Sequence, residues 1–151
     1  MLSPGLGERG PPFHLLQALL GLTFHGEKPQ LHIYRPLSLF QLRVGNFYIA
    51  LAGETDRVRA LKIIRDHRKP DQRIFIGVVA PIDPRVETPE EIRDRILEAA
   101  EYIPVEQLGT TDDCGFSPFC DDTSTSRDTA FAKIRARVLG TALASETIAG
   151  G

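Results

Sequence analysis

From residue 46 the chain alternates between short apolar runs and longer stretches with helical spacing. "NFYIALA" (46–52) mixes aromatic, β-branched and aliphatic residues and predicts a buried strand. "TDRVRALKIIRDH" follows with Val58, Leu61 and Ile64 three residues apart and Lys62 turned outward, which predicts a helix. "RIFIGVVA" (73–80) is a continuous apolar run of the kind a parallel sheet covers on both faces. "TPEEIRDRILEAAEYI" opens with Thr88 as N-cap, Pro89 at the first helical position and Glu91 closing a capping box. Its stripe is Ile92, Ile96, Ala99 and Ile103. "EQLGTT" predicts a third, weaker strand, and "SRDTAFAKIRARVLGTALA" a last helix with Ala130, Phe131, Ile134, Val138 and Ala142 on its buried face.

The order β-α-β-α-β-α with short connections implies parallel strands joined by crossovers. Three such units make either a small open sheet or the last part of an eight-stranded barrel, which needs ~250 residues when whole. In both architectures the chemistry belongs at the C-terminal ends of the strands. Residues 1–45 read differently. Pro4, Pro11, Pro12, Pro29 and Pro36 interrupt them, and only Phe13 to Leu22 has helical character. The expected organisation is a poorly structured leader over 1–45, a barrel-like domain over 46–145 and a flexible tail over 146–151.

Composition narrows the function classes. A formal net charge of −2 gives no general attraction to nucleic acid or anionic lipid. No apolar run reaches the ~20 residues that cross a bilayer, and the N-terminus lacks the basic start and cleavage site of a signal peptide. With only two cysteines and no such signal, the expected setting is the cytoplasm, with thiols free or metal-bound. Both lie in "GTTDDCGFSPFCDD" (109–122), at the end of the third strand. Cys114 before Gly115 suits a zinc ligand, but the gap to Cys120 exceeds that of a zinc knuckle. The four histidines, His14, His25, His32 and His67, all stand upstream. Spacing alone favours two ordinary buried thiols. After the second strand, Asp83, Arg85 and Glu87 can orient a ligand, or can be a turn leading into a capped helix, and turn chemistry accounts for each residue. Arg127 and Asp128 fit the charge pattern of a helix start.

The stretch "RIFIGVVAPIDPRVETPEEIRDRILEAAEYIPVEQLGTTDDCGF" resembles the end of the cobalamin-independent methionine synthase family. The shared features are a Gly-Val strand end, a Val-Glu-Thr-Pro-Glu-Glu helix start, an Ile-Pro-x-Glu-x-Leu stretch and Asp-Cys-Gly. The resemblance covers roughly residues 46 to 145. It implies an α/β fold comprising the last three β-α units of a (β/α)8 TIM barrel, an incomplete barrel on its own. It implies zinc-dependent methyl transfer from a 5-methyltetrahydrofolate polyglutamate to the thiol of homocysteine, giving methionine. The alternatives are a non-catalytic partial barrel that binds the missing part, or another alkyl-to-thiol transferase of the superfamily. Of the zinc ligands, the resemblance assigns Cys114. The glutamate ligand matches Ala50 by strand position or Glu54 by a Glu-Thr pair. The His-x-Cys pair has a half-match in "HIYR", with His32 present and Tyr34 in place of the thiol. Asp83, near the place of a family histidine, and Asp113 are the expected substrate contacts. Cys120 matches no ligand.

Overall fold

The computed structural model describes residues 39–117 and 125–150, within a compact unit running from Leu37 to Gly151. Strands β1 (Asn46–Ile49), β2 (Arg73–Val79) and β3 (Leu108–Asp112) form a parallel sheet in the order β1-β2-β3. Helix α1 (Arg57–His67) links β1 to β2, α2 (Pro89–Ala100) links β2 to β3, and α3 (Arg127–Gly150) follows. Parallel neighbours cannot be joined by a hairpin, so each connection is a helical crossover. The expected alternation is present, and α3 continues to Gly150 through residues read as a tail.

The core lies between one sheet face and the helices. Alternation along β2 sends Ile74, Ile76 and Val78 to the same side, and all three are fully buried. Leu61 and Ile64 of α1 and Ile92, Ile96 and Ala99 of α2 complete this cluster, with Ile103 after α2 and Phe40 ahead of β1. Helix α2 starts where its sequence dictates. The Thr88 hydroxyl accepts from the Glu91 amide (3.2 Å), and the Glu91 carboxylate accepts from the Thr88 amide (2.8 Å). These two bonds satisfy two of the orphan donors of a helix start.

Three sequence expectations are corrected. Strand β1 stops at Ile49 rather than running to Ala52, because the amides of Leu51 and Ala52 turn toward the Asp113 carboxylate instead of a ladder. Strand β3 begins at Leu108, since Val105–Gln107 form a 3-10 turn. The Gln107 amide group there donates to the carbonyls of Lys69, Pro70 and Gln72 at 2.8, 2.9 and 2.8 Å, tying that turn to the approach to β2. Helix α3 is rotated from expectation. Its buried positions are Lys133, Ala136, Gly140 and Ala144, whereas Phe131 and Val138 are 58% and 60% exposed. The close seam with α2 explains this: a Cβ on Gly140 would stand 2.6 Å from Ile92 Cβ and 2.7 Å from the Pro89 carbonyl oxygen. Only small side chains fit at that separation.

The other sheet face carries Tyr48 and Phe75, cross-strand partners whose rings stack 4.7 Å apart at 11°. Tyr48 remains 69% exposed.

Candidate functional site

The loops after the three strands meet at one rim. Its organiser is Asp113, the first residue beyond β3. Its amide still donates to the Val79 carbonyl at 2.9 Å, which keeps it beside the end of β2. Its carboxylate extends across β2 to the loop after β1. Oδ1 accepts from the amides of Leu51 (2.8 Å) and Ala52 (2.9 Å), and Oδ2 accepts from Gly53 (2.9 Å). The crossing is open because residue 77 is glycine. A Cβ there would lie 1.7 Å from Asp113 Oδ1. Both carboxylate oxygens are thus engaged by backbone, in charge-assisted bonds stronger than neutral ones.

Glu54 and Cys114 are the next residues in sequence after the Gly53–Asp113 contact, so the two expected metal ligands stand on the same rim. Cys114 is exposed. Burial of its surroundings, then the carboxylates of Asp113 and Asp112, push its thiol up from the ordinary cysteine value. Glu54 accepts from the Asp56 amide at 3.3 Å. Ala50, the other position matched to the family glutamate, immediately precedes the loop that Asp113 holds. Among the described residues no three His, Cys, Asp or Glu side chains gather closely enough to hold a metal ion. A catalytic zinc takes three protein ligands. Cys114 and Glu54 therefore do not make a zinc site by themselves. His32, Tyr34 and Cys120 lie outside the described residues.

The β2–α2 loop is a turn, the plainer of its two sequence readings. The Asp83 amide donates to the Ala80 carbonyl at 3.1 Å, and Asp83 Oδ1 accepts from the Arg85 amide at 2.9 Å. Arg85 holds both oxygens of Glu91 at 2.7 and 2.9 Å. The Thr88 amide and then Arg85 keep the Glu91 carboxyl below the usual carboxylate range. Asp83 is partly exposed, and Ile82 beside it is 90% exposed.

Beneath this loop is a pair that pattern reading missed. Lys133 and Glu87 form an ion pair at 2.9 Å with side chains 0% and 1% exposed. Lys133 Nζ also donates to the carbonyls of Ala80 (3.1 Å) and Arg85 (2.5 Å), which uses all three of its protons. The other Glu87 oxygen accepts from the Ala80 amide at 2.8 Å. One buried lysine on α3 thereby fixes both ends of the β2–α2 loop. A lysine inside an apolar helical stretch gives no sign of facing inward, so the sequence carried no usable signal.

Asp112, at the end of β3, has its Oδ1 3.1 Å from Arg137 Nε, without the alignment of a hydrogen bond. Burial pushes its carboxyl up, against the opposing pull of Arg137. Arg127, at the start of α3, places its guanidinium 5.4 Å from the centre of the Phe131 ring, a cation–π contact.

These elements define a class: a consecutive segment of a parallel β/α barrel. Its backbone resembles that of a B12-independent methionine synthase from Shewanella sp. W3-18-1, solved in complex with selenomethionine. The TM-score is 0.64 at 16% identity, over 77% of this chain and 31% of that one. The family described as "Cobalamin-independent synthase, Catalytic domain" matches residues 45–136, and the chain belongs to it. Among curated proteins, the uncharacterized protein YxjH of Bacillus subtilis (strain 168) is 27% identical over 85 residues, which are 56% of this chain and 22% of that protein. A 2-hydroxypropyl-CoM lyase of Xanthobacter autotrophicus (strain ATCC BAA-1158 / Py2) is 34% identical over 62 residues, 40% of this chain and 16% of the lyase. The chain thus spans about a fifth of the curated relatives it matches. No helix among the described residues is long and apolar enough to cross a membrane.

Proposed function

We propose that the chain forms part of a catalytic domain that moves a methyl group onto a thiol. The acceptor is homocysteine, the donor is a 5-methyltetrahydrofolate polyglutamate, and the setting is the cytoplasm. The carrying observation is the Asp-Cys-Gly element of a family-matched segment, which stands at a strand end with its thiol exposed. In this reading Cys114, with Glu54, supplies one side of a zinc ligand set whose remaining donors lie outside the described residues. A metal-bound thiolate acceptor is the chemistry zinc supplies in such a domain. Asp83, partly exposed on the neighbouring loop, contacts polar groups of the substrate. The test measures bound zinc and homocysteine methylation for the chain and for Cys114→Ser, each alone and mixed with the preceding strands of a family barrel. Methylation that needs Cys114 supports the reading. Absence of both zinc and methylation in every mixture sinks it.

The similarity to a 2-hydroxypropyl-CoM lyase favours a second reading, another alkyl-to-thiol transferase, in which the group on the thiol is larger than methyl. Incubating the same mixtures with 2-hydroxypropyl-CoM and measuring released coenzyme M separates the two. A non-catalytic role is favoured by a different observation, the exposure of Tyr48 on the open sheet face and of Phe131 and Val138 on α3. These are surfaces that further strands and helices cover in a closed barrel. Stable association with the preceding barrel segment, without methylation, supports that role.

A further inference from the structure

We propose that Asp113 is a positioning residue for this rim. Its carboxylate locks the β1–α1 loop to the Cys114 loop, and so presents Glu54 and Cys114 together. The inference rests on the reading that these two side chains belong to the working site. The physical case begins with the loop itself. Leu51, Ala52 and Gly53 have left the β1–β2 ladder, so their amides need other acceptors. Asp113 takes all three, across 60 to 62 residues of sequence.

Competing restraints are few. Arg57 donates to the Leu51 carbonyl at 2.8 Å while its Nε holds Glu98 at 2.8 Å, which anchors the start of the loop to α2. A turn bond from the Glu54 amide to the same carbonyl spans 3.2 Å. Neither reaches Ala52 or Gly53. Their amides depend on Asp113, and Gly53 is the residue directly before Glu54. Gly77 belongs to the same device, because any side chain there would occupy the path of the carboxylate. Asp113 thus acts through the backbone rather than by touching substrate.

The test reads amide exchange residue by residue by NMR, in Asp113→Asn, Asp113→Ala and Gly77→Ala. Asparagine keeps one acceptor oxygen, so Asp113→Asn releases part of the set and Asp113→Ala all of it. Exchange at Leu51, Ala52 and Gly53 is expected to accelerate about tenfold or more in Asp113→Ala, the scale of lost bonds to a charged group. Gly77→Ala, which keeps the charge, is expected to accelerate the same three amides. A nitroxide on Cys114 in a Cys120→Ser background gives the readout that bears on position. It broadens the Gly53 and Glu54 amides in the native sequence, and the broadening weakens in Gly77→Ala. Native exchange rates in Asp113→Ala overturn the proposal, as does unchanged broadening in Gly77→Ala. Collapse of the α2 and α3 signals together with the loop in Asp113→Asn overturns it too, by making Asp113 a residue for the whole unit. Failure of the methylation assay leaves these readouts untouched, so the two ideas fail separately.

Discussion

Replacing Lys133 by methionine removes the charge while nearly preserving the volume of the side chain. Three hydrogen bonds are lost, to the Ala80 and Arg85 carbonyls and to Glu87. The larger effect is on what stays behind. Glu87, 1% exposed, keeps the Ala80 amide on one oxygen but loses its cation, and the nearest other positive group is Arg95 at 4.0 Å. Breaking a buried pair from one side costs about 3–5 kcal/mol, because an uncompensated charge stays in a low-dielectric interior. Stability is read by urea unfolding followed by far-UV circular dichroism, with the slope checked for two-state behaviour. The companion variant is Lys133→Met with Glu87→Gln. Glutamine still accepts from the Ala80 amide and offers donors to the stranded carbonyls. The double variant should therefore recover at least about 1 kcal/mol relative to Lys133→Met, even though it carries one more substitution. A loss below about 1 kcal/mol for Lys133→Met refutes the reasoning. So does a double variant whose losses simply add, since that means the two side chains are not coupled in solution.

Gly140→Ala places a methyl group 2.6 Å from Ile92 Cβ, so overpacking of about 1–3 kcal/mol outweighs alanine's helix preference of about 1 kcal/mol. The melting temperature should fall, whereas Gly45→Ala, with open space around it, serves as the tolerant control. The Glu91 carboxyl is held low by the Thr88 amide and Arg85, so its contribution is present above the ordinary glutamate value of about 4.3 and is lost as pH falls through its lowered folded value. The melting-temperature gap between the native chain and Glu91→Gln should accordingly be open at pH 7 and close in acid; a gap that widens in acid contradicts the sign. The raised pKa of Cys114 predicts slow alkylation by iodoacetamide at pH 7.5 relative to a small free thiol, in a Cys120→Ser background. The rate should climb above pH 8.5, the usual cysteine value of about 8.5 being exceeded here, and a rate equal to the free thiol's at pH 7.5 contradicts it.

What the sequence revealed was set by how local the determining physics is. The capping box at Thr88 and Glu91 needs only residues three positions apart, and it stands as read. The apolar run of β2 and the alternation of elements imply a parallel sheet from periodicity alone, and the sheet is parallel. Helix α3 shows where periodicity misleads. The stripe containing Phe131 and Val138 has the stronger hydrophobic signal, yet the buried face is the one with Ala136, Gly140 and Ala144. Contact with Ile92 demands small side chains, and a hydrophobicity pattern ranks alanine and glycine low whatever the packing distance. Family likeness picked out Cys114, and local turn chemistry accounted for Asp83. Neither route could show that the partners of Asp113 are backbone amides some 60 residues away, because backbone donors leave no trace in residue identity.

Two of the three strand-end loops of the rim are organised from beneath by a carboxylate bonded to main-chain amides. Asp113 receives the amides of Leu51, Ala52 and Gly53, while Glu87 receives that of Ala80 and is itself held by Lys133. Loops are ordinarily the mobile part of a barrel, yet a site built on them needs its groups held within a fraction of an ångström. Anchoring backbone rather than side chains meets both demands, since the residues at the tip stay free to vary. Ile82 and Asp83 occupy the tip of one loop and Glu54 that of the other, and none of the three is needed to hold its loop in shape through Lys133 or Asp113. Asp83 and Glu54 each keep one bond within their own loop, to the Arg85 and Asp56 amides, so a substitution there loosens the tip locally. Substitutions at Gly77, Glu87, Asp113 or Lys133 disturb the frame before they disturb any chemistry.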